Sequence, residues 1–354
     1  MKKFLALILA LVMSLSLVAC GGSKTEEKPA DTKEPAQSTE PSDAAPEFEK
    51  MTWKFACSAN DQSNWVGAAK VFAQIVGEKT GGAITVEYYP QDQLTAGNQT
   101  EGIQAMLDGT TELSMHSNLI WAAFDSRFSV VSLPFLFANT DEADEKLNGE
   151  GGKVLQGIME ERGAHLLGIA ENGFRHITNT VRPIEKVEDM QGIKFRVAGN
   201  KLLNKAYTLW GTNWSNANWS EVFTGLQTGT YEGQENPLPT ADSASMSEVN
   251  KYMTYWTGVY DCLYFCMNGE LYDSLSPELQ AIVDEAGAEA CDWQRAQNRS
   301  EDEGIIAKWE AAGIQVTRLS EEAAAGFRAA VEPMYTDPEV VDMLSQELID
   351  AFTK

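Results

Sequence analysis

The chain has 354 residues, of which 27 are lysine or arginine and 52 are aspartate or glutamate. Its formal net charge of −25 excludes a protein that binds nucleic acid by neutralising phosphates, because such a protein needs a basic surface. The same charge argues against docking on anionic lipid headgroups through a basic patch. A chain of this length forms about two domains and can bury a large core.

The N-terminus has the pattern of a secretory signal. Two lysines precede an apolar run at 4–18, which ends in small residues and is short for a membrane span. The sequence LVACG at 17–21 resembles the bacterial lipobox, in which the cysteine becomes the lipidated first residue of the mature chain. We therefore expect residues 1–19 to be a lipoprotein signal peptide and Cys20 to be lipidated. A permanent N-terminal anchor helix is the alternative.

Residues 20–50 have the composition of a disordered tether. After Cys20 the segment is rich in Glu, Pro, Ser, Thr and Ala and contains one aromatic residue. Such a segment cannot bury enough apolar surface to offset the entropy lost on ordering. We expect the folded part to lie outside the cytoplasm, held at the cell membrane by the lipid on Cys20.

From residue 51 onwards, strand-like alternation and helix-like periodicity take turns along the chain. The predicted strands are 51–58, 83–89, 113–115, 165–170, 174–178, 193–197, 259–267 and 314–319. The predicted helices are 65–78, 100–107, 141–162, 201–210, 221–227 with Ser220 as N-cap, 277–312, 321–334 and 338–352. This alternation predicts an α/β fold with mixed, mostly parallel sheets.

The helix predicted at 277–312 is unusually long. Ser276 and Pro277 form a helix start signal, and Gly313 ends the pattern. About 36 residues at 1.5 Å each give a length of ~54 Å, which exceeds one small domain. We therefore expect this helix to span two lobes. The alternative is two helices, broken near Gly287 or Gly304.

The cysteines after Cys20 show no CxxC pair and no Cys/His spacing typical of zinc, so no metal site is expected. Cys262 and Cys266 share one predicted strand, where residues four apart lie about 13 Å from each other and cannot form a disulfide. Buried free thiols are expected, and one disulfide that involves Cys57 or Cys291 is left open.

Motifs of common catalytic sites are missing from the sequence. It contains no HExxH, no GxSxG and no phosphate-binding loop of the GxxxxGK[ST] type. Among many acidic residues, no spacing singles out a pair of catalytic carboxylates. We expect neither an enzyme nor a cofactor, and a secreted hydrolase with an aromatic-lined cleft is kept as the alternative.

Two arginines stand in apolar surroundings in the segment ENGFRHITNTVRPIEKVEDMQGIKFRV, residues 171–197. Arg175 and Arg196 each follow a turn that contains glycine, close to predicted strands. The planar guanidinium binds carboxylates through two parallel hydrogen bonds, and partial desolvation strengthens them. In an acidic protein the partner is either an internal Asp or Glu or an anionic ligand, and composition alone leaves both open.

The stretch TNWSNANWSEVFTGLQTGTYEGQENPLP, residues 212–239, combines indole and amide side chains. Amides orient the polar groups of a ligand and tryptophans supply apolar walls, although an aromatic core between lobes has the same composition. Together with Trp65 and Trp121, Trp214 and Trp219 point to an aromatic or compact apolar ligand tail.

The order and spacing of several segments resemble the extracytoplasmic solute-binding subunit of TRAP transporters, the DctP family. These segments are EKTGGAITVEYYPQDQL (78–94), LPFLF (133–137), GFRHITNTVRPI (173–184), DMQGIKFRV (189–197), SEVFTGLQTGTYEGQENPL (220–238) and LSPELQ (275–280). The chain departs from the family pattern at 94–97 and at Ala198. The resemblance therefore assigns no ligand-binding residue from Thr95 to Glu101.

The resemblance implies a two-lobed periplasmic-binding-protein-like fold that closes over a small organic acid and delivers it to an ion-driven membrane permease. In the family, the arginine matching Arg196 makes the main bidentate salt bridge to the ligand carboxylate. The other residues expected at the ligand are Arg175, Asn236, Trp219, Trp214, Ser58, Asn64, Ser117 and Asn118. The first lobe is expected to comprise 51–172 and about 262–300, and the second about 173–261 and 301–354. A monomer is the default, and a ligand-sensing co-receptor on the same fold is a further alternative.

Overall fold

The computed structural model describes residues 48–353. The predicted signal peptide, Cys20 and the predicted tether up to residue 47 lie outside the described residues. Within the described part, no helix combines the length and the apolar character needed to cross a membrane.

The described part alternates strands and helices, as the sequence predicts. The strands are β1 (Met51–Cys57), β2 (Ile84–Tyr89), β3 (Leu113–Ser117), β4 (Ala164–Phe174), β5 (His176–Asn179), β6 (Lys194–Val197), β7 (Asn213–Asn216), β8 (Gly233–Asn236), β9 (Tyr252–Tyr255), β10 (Tyr260–Asn268) and β11 (Gln315–Arg318). The helices are α1 (Asn64–Lys79), α2 (Gln99–Leu107), α3 (Asn118–Trp121), α4 (Thr140–Leu147), α5 (Glu150–Glu161), α6 (Lys201–Leu209), α7 (Trp219–Gln227), α8 (Leu238–Ser243), α9 (Gly269–Ser274), α10 (Pro277–Ala311), α11 (Glu321–Val331), α12 (Pro338–Leu344) and α13 (Gln346–Thr353).

The strands form two sheets, one in each lobe. In the first lobe the strand order is β2-β1-β3-β10-β4, and in the second it is β11-β9-β5-β8-β6-β7. Strand β10 runs antiparallel to β3 and β4, and β5 runs antiparallel to β8 and β9. The remaining pairings between described strands are parallel. The predicted two-lobed α/β fold with mixed, mostly parallel sheets is therefore confirmed.

Helix α1 shows how the sequence pattern builds the first lobe. Ser63 caps the helix by accepting a hydrogen bond from the Val66 amide. The apolar stripe of the helix is fully buried, and Phe72 packs edge-on against Phe265 of β10 with 5.2 Å between ring centroids. Burial of one such ring contributes about 1.5–3 kcal/mol. The stripe therefore fixes which face of the helix covers the sheet.

Helix α10 is continuous over 35 residues, a length of about 52 Å. Ser276 caps its start through the Leu279 amide. The helix packs on α1 and β4 of the first lobe and on α8 and β11 of the second. Gly287 permits its close approach to β4, because a Cβ there would lie 2.6 Å from the Cβ of Leu167. The prediction of one helix spanning both lobes is confirmed, and the alternative of a break is wrong.

Besides the crossing through α10, the chain passes between the two sheets at two short connections. Strand β4 of the first sheet ends at Phe174 and β5 of the second begins at His176, so Arg175 alone joins them. The return runs from β9 to β10 through residues 256–259. The Arg175 amide donates a hydrogen bond to the Val259 carbonyl, which ties the two crossings together.

Three helix predictions are wrong in their extent. The helix predicted at 141–162 is two helices, because Gly149 adopts an extended backbone (φ −93°, ψ −147°) between α4 and α5. The helix predicted at 338–352 is broken at Ser345, whose φ is +67°. Helix α7 starts at Trp219, with Asn218 rather than Ser220 at its N-cap.

The C-terminal helices lie away from the sheet of the second lobe. Helices α12 and α13 pack on the segment Ser126–Ser132, and α13 also packs on α5. Phe352 lies over Gly151, where an added Cβ would come within 2.6 Å of the ring. The sequence places 301–354 in the second lobe, but these two helices contact segments that it places in the first.

The cysteines of the described part are free and buried, as expected for Cys262 and Cys266 on β10. Cys57 and Cys291 are free as well. The disulfide that the sequence left open is therefore not formed.

Candidate ligand-binding site

A cavity lies between the two sheets, where strands β1 and β3 of the first and β6 and β8 of the second reach their carboxyl ends. Ligands of α/β proteins bind at such edges. The space between atoms in the cavity, counted together with solvent at its open side, is about 360 Å³. Its lining consists of Ser58, Ala59, Trp65, Gln99, Ser117, Ile120, Asn172, Arg175, Arg196, Ala198, Trp219, Asn236 and Thr240.

Arg196 presents its guanidinium to this cavity from β6, a strand held between β7 and β8. Its Nε and Nη2 donate hydrogen bonds of 3.0 and 2.6 Å to the Ala217 carbonyl. The indole of Trp219 lies against it, with 5.7 Å between the Arg196 Cζ and the ring centroid. Within residues 48–353 no carboxylate forms an ion pair with this guanidinium, so its buried positive charge has no counter-charge in direct contact.

The pKa of Arg196 reflects this imbalance. Burial lowers it to about 10, the negative charge of Glu235 opposes the shift, and the positive charge of Arg175 adds to it. The guanidinium is still charged at neutral pH. An anion in the cavity would relieve the desolvation that disfavours the charge.

Arg175 is also buried at the cavity, but its charge is already paired. It forms ion pairs with Glu235 and Asp261. Its Nη2 also donates to the Glu235 carbonyl at 2.9 Å. Burial disfavours the charged form, but the two carboxylates outweigh burial and raise the pKa of Arg175. The internal ion pair that the sequence left open is found at Arg175 and not at Arg196.

A hydrogen-bond chain continues from Asp261 along the cavity wall. Ser117 Oγ and Asn172 Nδ2 each donate to Asp261 at 2.7 Å. Thr240 Oγ1 donates to Asn172 Oδ1 at 2.6 Å. Burial raises the pKa of Asp261, while Arg175 and these donors counteract the rise. The cluster of Arg175, Glu235 and Asp261 thus holds one positive and two potential negative charges.

Gln99 connects the two sides of the cavity. Its Nε2 donates to Ser58 Oγ after β1, and its Oε1 accepts the backbone N–H of Trp219 at the start of α7, both at 3.1 Å. Beside it, Ser220 Oγ donates to the Gly97 carbonyl at 3.1 Å. This contact explains why Ser220 does not cap α7: its hydroxyl is used across the cleft.

The structure brings together six of the residues predicted at the ligand: Ser58, Ser117, Arg175, Arg196, Trp219 and Asn236. It places three others outside the cavity lining. Asn64 is hydrogen-bonded to Gln294 and Asn298 of α10. Asn118 supports the Phe128 carbonyl, Ser132 and the Cys262 amide. Trp214 lies on the outer strand β7 and donates to Thr208.

Sequence reasoning singled out Trp65 only as a sign of the ligand tail, and it missed several lining residues. The missed ones are Ala59, Gln99, Ile120, Asn172 and Thr240. Ala59 follows Ser58 directly, and Asn172 lies in the same segment as Arg175, so proximity was an available signal. Gln99 follows the departure from the family pattern at 94–97 and lies in the stretch where no site residue was assigned from the resemblance. Trp121, by contrast, belongs to the core beside Phe128 and not to the cavity.

Comparisons of the chain with known proteins agree on one family. A model of the bacterial extracellular solute-binding proteins of family 7, named DctP, matches residues 55–339. The 2,3-diketo-L-gulonate-binding periplasmic protein YiaO of Escherichia coli K12 is 30% identical over 249 residues, which are 70% of this chain and 75% of YiaO. The C4-dicarboxylate-binding periplasmic protein DctP of Rhodobacter capsulatus is 28% identical over 295 residues, 83% of this chain and 87% of that protein.

A solved structure shares both fold and sequence. A TRAP periplasmic solute-binding protein from Ralstonia eutropha H16, crystallised with bound (S)-2-acetolactate, superposes with a TM-score of 0.82 at 28% identity and covers 85% of this chain and 97% of its own. The family match spans most of the described part, including both sheets and the cavity between them. The chain therefore belongs to the DctP family, the solute-binding proteins of TRAP transporters.

Proposed function

We propose that this protein captures a small organic acid at Arg196 and delivers it to a TRAP-type, ion-driven membrane permease. The observation that carries the proposal is a buried guanidinium at a cavity, bound only by the Ala217 carbonyl among the described residues. Three similar proteins are named with a diketogulonate, with C4-dicarboxylates and with acetolactate as their ligands. All of these ligands carry at least one carboxylate.

The hydrogen bonds of Arg196 indicate how a carboxylate would bind. The Ala217 carbonyl uses Nε and one hydrogen of Nη2. The edge formed by Nη1 and the second Nη2 hydrogen is left for the two carboxylate oxygens, which accept two parallel charge-assisted bonds. Trp219 holds the guanidinium plane from the side. The arginine is thus positioned before the ligand arrives.

Closure of the two lobes completes the site. Gln99 with the Trp219 amide, Gly97 with Ser220, and Asn60 with the Ser243 carbonyl join the two sides around the cavity. Excluding water strengthens the ion pair between ligand and Arg196. The ligand favours the closed form because it binds that form more tightly.

The test is isothermal titration calorimetry of the full chain, purified in detergent, against a panel of sugar acids, keto acids and dicarboxylates. The Arg196→Lys variant keeps the charge but loses the planar fork, so we expect at least one acid to bind about a hundredfold more weakly. Arg182→Lys is a matched control, because the Arg182 guanidinium also donates to backbone carbonyls, at Asp189 and Gln191, but does not line the cavity.

The proposal fails if the acids that bind the wild type bind Arg196→Lys with unchanged affinity. A loss shared equally by Arg182→Lys would also count against it, because it would point to a general change in folding. Turnover of a bound acid would instead favour the hydrolase alternative, since the proposed protein releases its ligand unchanged.

We further propose that the mature protein starts at a lipidated Cys20 and is tethered through residues 20–50, as a monomer, outside the cell membrane. The lipobox-like sequence at 17–21 supports this proposal. Cys20→Ser is expected to abolish incorporation of radiolabelled fatty acid and to release the protein from the membrane fraction. Retention of both label and membrane binding in this variant would contradict it.

The lobe boundaries are likewise a proposal. The single-residue crossing at Arg175 and the return through 256–259 support boundaries near 172 and 262. The contacts of α12 and α13 support attaching residues 338–353 to the first lobe instead of the second. Small-angle scattering with and without ligand, fitted by rotating these two groups as rigid bodies, tests the division.

A further inference from the structure

We propose that the ligand is a monocarboxylate whose remaining carbons carry hydroxyl or keto groups, and that the site rejects dicarboxylates of the same length. This inference rests on the proposed function, in which Arg196 binds the carboxylate. Since a family relative is named for binding C4-dicarboxylates, family membership does not decide between the two classes.

The charges at the cavity support one anionic group and no more. Arg175 and Arg196 are the basic residues among the described lining residues. Arg175 is already paired with both Glu235 and Asp261. Arg196 is therefore the one cation available to a ligand among the residues that line the cavity.

A second carboxylate would approach the paired cluster and be repelled. Glu235 and Asp261 are both 0% exposed, and together they outnumber the single positive charge of Arg175. A ligand carboxylate that reached Arg175 would have to compete with two buried carboxylates for the same guanidinium. If it stayed elsewhere in the cavity it would be desolvated without a counter-charge, which is strongly unfavourable.

The rest of the lining suits neutral polar groups. Ser58 accepts a hydrogen bond from Gln99, so its own hydroxyl hydrogen is available. Asn236 donates one Nδ2 hydrogen to Gln234 and keeps the other hydrogen and its Oδ1. Thr240 donates to Asn172 and keeps acceptor capacity. A ligand hydroxyl group can bind both donors and acceptors of this kind, and a keto oxygen can accept from the donors.

The apolar part of the cavity lining also suits such a ligand. The indoles of Trp65 and Trp219 supply flat apolar walls against which the carbon chain of a short polyol acid can pack.

The experiment compares acids that differ only at the terminal carbon. Galactonate is paired with galactarate, and erythronate with meso-tartrate, because in each pair one terminal CH₂OH is oxidised to a carboxylate. Calorimetry of the full chain is expected to show the monoacid binding about a hundredfold more tightly than its diacid in whichever pair binds. A preference of tenfold or more supports the inference, and a smaller preference overturns it.

The two proposals fail in different ways. Tight binding of a diacid that is lost in Arg196→Lys would overturn the monocarboxylate inference and leave the proposed function standing. No binding by any acid of the wider panel would contradict the proposed function and this inference with it.

The Glu235→Gln variant tests the physical cause. Glutamine keeps an oxygen for Arg175 and removes one negative charge, so Arg175 and Asp261 become a balanced pair. The ratio of diacid to monoacid affinity is expected to rise about tenfold. Asp261→Asn is the second variant if Glu235→Gln does not fold. An unchanged ratio in a folded variant would overturn the assignment of selectivity to this cluster.

Discussion

The two arginines at the cavity occupy similar surroundings and are compensated in opposite ways. Arg175 is 3% exposed and Arg196 is 2% exposed, and both line the same cavity. Arg175, at the crossing from β4 to β5, has two carboxylate partners, whereas Arg196 on β6 has a backbone carbonyl and an indole. The depth of burial therefore does not distinguish a structural arginine from one available to a ligand. The charge of its partners does.

The two arginines should also differ in their effect on the stability of the fold. Breaking a buried ion pair is costly because the remaining partner stays buried without a counter-charge. A buried charge that lacks a counter-charge already carries such a cost in the ligand-free protein. Arg175 thus stabilises the fold, while the burial of Arg196 is offset when an anion binds.

The largest effect is expected for Arg175→Met, which leaves Glu235 and Asp261 facing each other without a cation. The free energy of unfolding should fall by about 3–5 kcal/mol. Urea unfolding at pH 7, followed by tryptophan fluorescence, measures the change. If Arg175→Met unfolds at the same urea concentration as the wild type, the two arginines do not differ as described.

Arg196→Met is expected to change the free energy of unfolding in the direction opposite to Arg175→Met. The variant removes a guanidinium whose pKa is lowered by burial to about 10, so the ligand-free protein should become more stable by about 1–3 kcal/mol at pH 7. A base with a lowered pKa destabilises the fold at low pH, and the penalty declines as pH rises above the folded pKa. The advantage of the variant over the wild type should therefore narrow between pH 8 and pH 11. Equal stability at pH 7 would contradict the unpaired state of Arg196.

Asp302 on α10 allows the same test on an acidic residue. Its pKa is raised to about 7, first by burial and then by the charges of Glu171, Glu303 and Glu301, and within residues 48–353 no cation forms an ion pair with it. An acid with a raised pKa loses stability as pH rises through that value. The free energy of unfolding of Asp302→Asn, relative to that of the wild type, should therefore rise by about 1–2 kcal/mol between pH 5 and pH 8. Thermal unfolding of both proteins at pH 5 and pH 8 measures this change. A stability difference that is the same at both pH values would contradict the prediction.

Trp219→Ala tests the indole beside Arg196. Loss of the cation–π contact and of one cavity wall should weaken acid binding about tenfold. Trp214→Ala is the matched control, because this indole lies on the outer strand and bonds Thr208 outside the cavity. Equal losses in both variants would show that the effect is not local to Arg196.

The smallest effect is expected for Gln99→Ala, which removes the bridge between Ser58 and the Trp219 amide. Loss of two neutral hydrogen bonds across the cleft should weaken binding by a few-fold. The change should appear in a faster dissociation rate measured by stopped-flow fluorescence, with association little changed. Slower association instead would mean that Gln99 helps form the open site and does not hold the closed one.

The fold was largely predictable because its long elements carry strong periodicity. The short strands β7, β8 and β9 were not predicted, since four residues are too few to establish an alternating pattern, and those of β8, Gly233–Asn236, are also polar. Their strand conformation comes from pairing with neighbours and not from local preference. The breaks at Gly149 and Ser345 likewise depend on backbone angles that a hydrophobic pattern does not reveal.

The site was predictable only in part, for a related reason. Arg196 and Asn236 lie in recognisable segments, so their place at the cavity follows from the family pattern. Arg175 differs from Arg196 because it is ion-paired with Glu235 and Asp261. These carboxylates lie 60 and 86 residues from Arg175 along the chain. Gln99 reaches the cavity from a segment where the pattern is interrupted. Partners brought together by the tertiary fold leave no mark in local sequence.

The crossing at Arg175 has a mechanical consequence. Because one residue joins the sheets there and its side chain is anchored to both β8 and β10, the lobes can rotate about this point more easily than they can separate. Atoms beside a pivot travel little, whereas those at the opposite rim, such as Gly97 and Ser220, travel farthest. Residues at the floor of the cleft are therefore expected to shift little during closure, so an arriving acid meets them close to their final positions before contacts at the rim complete the site.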